Sequence, residues 1–292
     1  MPRMERFART PQPIPLSGSW VFGSPPSTLS QAASLFGEWL VLRAAPIESD
    51  HYLGVPLARA EDVTRALRGA LLHHAVDPPP ALSGHAPDGR RLERAHAAFL
   101  ALPDIRDQHS SSAVSGAAIV LPRDIAPGDY QAILLAAARW ERSGMRLVLG
   151  RLGAMRLARD EDSGRSLDPG CWIGPARRWA SVTPIALDKN PGDLSARNPA
   201  VAAEAARRAE EIVARACAHI CLPRPTAVRV MRRSRFAGVP PAPAFMPFPR
   251  HGSGFKRVCV HVELRFEEPV AGPLLLGVGR HFGVGLCGPW RE

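Results

Sequence analysis

Apolar positions along the chain keep two spacings in turn, every second residue and every third or fourth. Short apolar runs at 38–43, 97–102 and 117–121 predict strands, and two more at 145–149 and 154–157 predict a hairpin around Gly153. Between the first two runs, 57–74 sets Val63, Leu67, Ala70 and Leu71 at helical spacing, and Pro78, Pro79 and Pro80 stop that helix. Residues 130–140 set Ile133, Leu134 and Ala137 on one helical face. The resulting order is βαββαβ, the ferredoxin-like arrangement.

A second round follows a Gly-, Pro- and Trp-containing stretch at 169–175. Residues 179–187 read as a strand interrupted by Pro184, which marks an edge or a bulge. Asn198 and Pro199 open a helix as cap and first helical residue. Val201, Ala205, Ala209, Ile212, Val213, Ala216 and Ile220 share its apolar face, to about Cys221. Its other face carries Arg207, Arg208, Glu210, Glu211 and Arg215, the composition of a solvated surface. Strands follow at 227–231, at 258–266 with clean alternation, and briefly at 284–286. The pattern therefore predicts an α+β chain of two tandem ferredoxin-like domains, 37–168 and 169–292, behind a Pro- and Ser-rich tail or linker at 1–36.

The last element is unusual. Between 272 and 288 stand six glycines, with Arg280, His281 and Phe282 in their midst. Glycine loses more backbone freedom on folding than any other residue, so such a run needs a reason. Either its turns need positive φ, or another backbone comes very close. Gly-rich turns also expose N–H groups that cradle anions, nucleic-acid phosphate among them. A plain glycine-laced hairpin fits the same residues. A dinucleotide fingerprint does not, because no long helix and acidic residue follow.

Composition narrows the function classes. No run of eighteen uncharged apolar residues exists, and the first residues lack the apolar segment of a secretory signal, so no membrane partner is expected and the cytoplasm is the default location. The net charge is +10, and all but Lys189 and Lys256 of the 37 basic residues are arginine. A GC-rich genome raises arginine by itself. Arginine also suits bidentate phosphate contacts and stacking on bases, so a polyanionic partner is favoured. The five cysteines, at 171, 217, 221, 259 and 287, contain no CxxC pair and read as buried free thiols. No metal or other cofactor is expected.

Three segments together carry a family likeness. They are Arg178-Trp-Ala-Ser-Val-Thr-Pro-Ile-Ala-Leu187; Arg257-Val-Cys-Val-His-Val-Glu-Leu-Arg-Phe266 with the glycine-rich stretch after it; and Leu82-Ser-Gly-His-Ala-Pro-Asp-Gly89 leading to His96 and the run behind it. In this order they resemble the CRISPR repeat-RNA endoribonucleases of the RAMP superfamily. More specifically, they resemble the nuclease half of the fused subunit of type I-G (formerly I-U) effector systems. In that family a backbone-capping subunit precedes the nuclease. The 36 residues ahead of the first strand are too few to be one, so the chain is expected to correspond to the nuclease half alone.

The resemblance implies metal-independent cleavage of repeat RNA. A 2′-hydroxyl attacks the adjacent phosphate and leaves a 2′,3′-cyclic phosphate and a 5′-hydroxyl. A general base must accept the 2′-OH proton, and histidine suits that task near neutral pH. Of ten histidines, His85 fits best, in a polar loop between Gly84 and Gly89 with Arg90 and Arg91 behind it. His51, beside Tyr52 after the first strand, comes second. His73 and His74 complement a helix C-terminus, His96 and His261 lie on or beside strands as packed residues, and His109 reads as a turn residue. The family's tyrosine in the first helix has no counterpart here.

Expected RNA contacts are Arg90, Arg91, Lys256, Arg257, Gly277, Gly279, Arg280, His281, Gly283 and Gly285, with Arg280 and His281 at the tip of a clamp. Expected partners are repeat RNA or its mature guide product and the other subunits of a type I effector complex. The competing expectation is a non-catalytic RNA-binding structural subunit of such a complex. A third is an unrelated basic protein whose arginines reflect genome composition.

Overall fold

The structure is a computed structural model and describes residues 32–45, 54–105, 112–159, 167–249 and 255–290. The first half contains β1 (Phe36–Ala45), α1 (Ala60–His74), the short α2 (Pro80–Ser83), β2 (Ala98–Pro103), β3 (Val114–Pro122), α3 (Pro127–Arg142), β4 (Arg146–Val148) and β5 (Ala154–Arg159). The second contains the short α4 (Gly170–Ile173), β6 (Ala176–Ser181), β7 (Ile185–Ala186), α5 (Pro199–Ala218), β8 (Ala227–Met231), β9 (Cys259–Val270), β10 (Leu274–Leu275) and β11 (Leu286–Pro289).

Local chemistry accounts for the helix ends. Pro127 and Pro199 occupy first helical positions, where the missing N–H costs nothing. Asn198 Oδ1 accepts the Ala200 N–H at 2.9 Å, as an N-cap should. Acidic Glu61 and Asp62 open α1, and His73 and His74 close it, matching the helix dipole.

The fold is mixed α+β with two antiparallel sheets. The first sheet runs β2-β3-β1-β5-β4. The second runs β8-β9-β6-β11-β10, with β7 continuing β6 along β9 beyond the break at Val182, Thr183 and Pro184. Replacing β1, β2, β3, β4 and β5 by β6, β8, β9, β10 and β11 turns one order into the other. The two halves therefore share a strand order, with α1 and α5 in the same place in the connectivity. The second half departs from the expected βαββαβ at one point. No long helix joins β9 to β10 and β11 as α3 joins β3 to β4. Only residues 271–273 separate β9 from β10, too few for a helix; the glycine-rich turn comes later, between β10 and β11, where residues 280–282 make a single 3₁₀ turn. The final strand also begins later than expected, at Leu286.

One apolar core runs through both halves and includes Trp39, Trp140, Trp172 and Trp179. Residues 32–35, inside the stretch read as a tail, join the halves. Ser34 N–H donates to Ala271 O, Leu35 N–H to Ile220 O, and Arg123 Nε to Ser34 O. The thiols depart from the expectation in part: Cys217 and Cys287 are buried, but Cys221 is exposed. Among the described residues no helix is long and apolar enough to cross a membrane.

Candidate functional site

The glycine-rich stretch folds inward. Its 3₁₀ turn, Arg280–Phe282, lies against α1 and the edge strand β2 of the first half. Thr64 Oγ1, on α1, donates to Phe282 O at 2.9 Å. Arg65 and Arg68, also on α1, lie over the Phe282 ring at 5.1 and 6.0 Å. Gly283 has φ +70°, and a Cβ there would stand 2.8 Å from Phe99 O of β2. This contact, with the backbone of the chain's own first half, is the close approach that the glycine explains. From the second half, Thr183 Oγ1 donates to Gly283 O at 2.7 Å and accepts the N–H groups of Gly285 and Leu286 at 3.0 and 2.9 Å. Thr183 sits in the break between β6 and β7, where Pro184 ends regular pairing and leaves a hydroxyl to serve the turn.

This packing brings the two ends of the sequence together. The His281 ring stacks on His96, centroids 3.6 Å apart and planes 19° from parallel. Gly84, the left-handed cap of α2, lies so close to His96 that a Cβ would stand 3.0 Å from its ring. His85 follows Gly84, is exposed, and donates from Nδ1 to Ser83 O at 3.0 Å. The carbonyl can only accept, so Nδ1 carries a proton, and in the neutral ring the lone pair falls on Nε2. Arg68 Nη2 donates to the same Ser83 carbonyl at 2.6 Å. Arg280 Nη1 donates to Gly277 O at 3.3 Å.

Electrostatics bind these groups into one site. Burial, then the positive charge of Arg280, Arg68 and His85, pushes the His96 ring down to about 4, although its Nδ1–H bond to Ala97 O works the other way. Burial, then His96 and Arg280, holds His281 well below the usual histidine range. Its Nδ1 is buried with no hydrogen-bond partner. Two neutral imidazoles, one exposed imidazole and two guanidinium groups thus share one corner between α1, the α2–β2 loop and the glycine-rich turn. Among the described residues no three His, Cys, Asp or Glu side chains are grouped as a metal site requires.

A cleft of ≈ 490 Å³ opens beside this corner. Arg280, Gly277 and Val278 form one wall, Glu93, Asp188 and His219 stand in its lining, and Ile185, Leu187, Ile212, Val213 and Ala216 supply the apolar remainder. A neighbouring pocket of ≈ 290 Å³ shares Asp188 and holds both lysines of the chain, Lys189 and Lys256, with Phe255, which is 75% exposed.

The chain is a CRISPR-associated protein of the GSU0054 family. The sequence model of that family matches residues 56–289, a span that takes in every element from α1 to β11 and the whole corner just described. No curated protein and no solved structure matches the chain.

Within this family member the expected site residues divide. His85, Arg280 and His281 gather around His96, with Gly277, Gly279, Gly283 and Gly285 building the turn that carries two of them. Arg280 and His281, expected at the tip of a clamp, are part-buried between the halves. Arg90 and Arg91 stay exposed on the His85 loop. Arg90 pairs with Asp88, and Arg91 bridges the His85 backbone. Lys256 lies in the second pocket, and Arg257 caps the end of β7 by donating to Leu187 O and Asp188 O. His51 and His109 lie outside the described residues. His261 is fully buried, taking a hydrogen bond from Ser181 Oγ at 2.9 Å and giving one to Pro240 O at 3.0 Å.

Sequence reasoning missed Arg68, Thr64 and Thr183, and placed His96 among packed residues only. Arg68 was detectable, one turn after Thr64 on the polar side of α1. The partner that gives it meaning lies more than two hundred residues away.

Proposed function

We propose that the chain is a metal-independent endoribonuclease that cleaves CRISPR precursor RNA within its repeats and stays on the mature guide RNA as an effector-complex subunit. The observation that carries this reading is the convergence of His85, His96 and His281 with Arg68 and Arg280. His85 Nε2 would take the proton from the 2′-hydroxyl as the 2′-oxygen bonds to phosphorus. The P–O5′ bond breaks, and the 5′-oxygen leaves with a proton from the open, solvated side of the site. Arg68 and Arg280 stand where fixed positive charge steadies the phosphorane. His96 and His281, neutral and stacked, keep the corner shaped without adding charge that would compete for the base's proton.

The fold supports the same reading. The shared strand order fits two ferredoxin-like modules, at 37–168 and 169–292, the second with no counterpart of α3 and with its glycine-rich turn between its last two strands. Membership of a CRISPR-associated family fits the likeness to the nuclease half of the type I-G fused subunit.

One observation favours a second reading, an RNA-binding structural subunit without chemistry. Arg280 and His281 already serve the junction between halves, and Arg257 already serves backbone carbonyls.

Incubation with repeat RNA in EDTA tests the pair. The first reading expects cleavage, lowered by about 10²–10⁴-fold in His85→Ala with RNA affinity kept. A substrate with hydrogen in place of the 2′-OH at the cut should bind and stay whole. Cleavage that survives in His85→Ala at full rate defeats the assignment of the base. Tight binding with no cleavage by the parent favours the structural subunit.

A further inference from the structure

The cleft of ≈ 490 Å³ beside Arg280 is built unlike the rest of a surface that attracts polyanions. Its interior is apolar, from Ile185 and Leu187 at the β7 end and Ile212, Val213 and Ala216 of α5. Two carboxylates, Glu93 of the first half and Asp188 of the second, line it with Arg280 and the His219 ring. Carboxylates in a cleft of a chain with net charge +10 repel phosphate. They accept hydrogen bonds well from N–H groups, and an apolar slot of this size suits a flat ring. We infer that this cleft is a nucleobase pocket that selects guanine in an unpaired nucleotide next to the reacting phosphate.

The donor and acceptor pattern decides the base. Guanine presents acceptors, O6 and N7, to an arginine fork and donors, N1–H and the 2-amino group, to a carboxylate. Uracil has no amino group for the carboxylate, and adenine has no O6 for the fork. Arg280 belongs both to this cleft and to the histidine corner, which sets the base one residue's reach from the reacting phosphate. Unpaired bases are the usual carriers of sequence recognition in RNA, since they can turn out to be read on their edges. The inference rests on the RNA reading above.

The test uses the whole chain and uncleavable 2′-deoxy hexanucleotides of uridine with one variable base: G, inosine, A or C. Inosine keeps O6 and N7 but lacks the 2-amino group. The G oligomer should bind at least about fivefold more tightly than the inosine, A and C oligomers. Asp188→Asn, at an exposed position, and Glu93→Gln should narrow the ratio of G to inosine affinity, each variant's oligomers being compared with its own all-uridine oligomer so that the lost repulsion of phosphate cancels. Equal affinity for all four bases, with the all-uridine oligomer bound, defeats the guanine pocket and leaves the RNA reading standing. Failure of every oligomer to bind, together with failure of repeat RNA, defeats both.

Discussion

Three of the described histidines are held neutral by the fold, and this has a consequence for acid stability. Burial pushes His96 and His261 down to about 4 and holds His281 well below the usual range. An unfolded histidine titrates near 6.5. Between about 4 and 6.5 the unfolded chain therefore binds more protons than the folded one, and stability rises with pH across that window. The contribution is complete above the unfolded value and is lost as pH falls toward the folded one. For the fully buried His261 it is at most roughly 3 kcal/mol. The urea midpoint should fall steeply from pH 7 to pH 5, where few carboxylates titrate; a flat profile would show that the buried rings are solvated. A second residue-scale prediction concerns Thr183. Its hydroxyl serves one carbonyl and two N–H groups of the glycine-rich turn. Thr183→Val keeps the shape and strips all three partners. The expected loss is on the order of 2–5 kcal/mol by denaturant unfolding, since each buried orphan costs about 1–3 kcal/mol. A loss below 1 kcal/mol would mean that water replaces the hydroxyl.

At the scale of elements, the glycine-rich turn is where sequence and structure part. Strands and helices were legible because their apolar periods are long and their caps are explicit: Asn198 and Pro199, Pro184, the run of prolines after His74. The alternation in β9 even marked His261 as a packed residue. What six glycines meant was not legible, because a close approach names no partner. The partner is β2, some 180 residues earlier, and only the tertiary fold supplies it. For the same reason His85 could be chosen from its loop, while His96, Arg68 and Thr64 could not be grouped with it. Gly89 and Gly283 separate the two reasons for glycine. Both have positive φ, +81° and +70°, but nothing stands within 4 Å of a Cβ at Gly89, while Phe99 O and Thr64 Cγ2 meet one at Gly283. Gly89→Ala should cost about 1–2 kcal/mol, the left-handed penalty alone. Gly283→Ala should cost clearly more and should also depress RNA cleavage, by pushing the turn from β2. Equal unfolding energies for the two variants would refute the packing argument.

The whole molecule carries a surplus of ten positive charges, and many of its arginines are already paired with carboxylates, on α5 with Glu204 and Glu211 and across β9 with Glu263. The charge that acts on a distant polyanion is therefore concentrated where carboxylates are fewer. The pocket of Lys189, Lys256 and Phe255 is such a place, though Asp188 stands in its wall. An exposed aromatic ring that shares a pocket with two lysines is the combination that holds single-stranded RNA, the ring stacking on a base and the lysines meeting phosphate. The two kinds of contact respond differently to salt. Each phosphate contact on a single strand adds about 0.7 to the slope of log affinity against log salt, and stacking adds almost nothing. Lys256→Ala should therefore lower both RNA affinity and the salt slope, the slope by about 0.7. Phe255→Ala should lower affinity by about 1–3 kcal/mol and leave the slope alone. Filter binding or anisotropy from 50 to 300 mM KCl, run on parent and both variants, separates the two effects. If Phe255→Ala binds as the parent does, the exposed ring is not a stacking platform. If the parent itself shows no salt dependence, the positive surplus serves no RNA, and the arginines record only the composition of the genome.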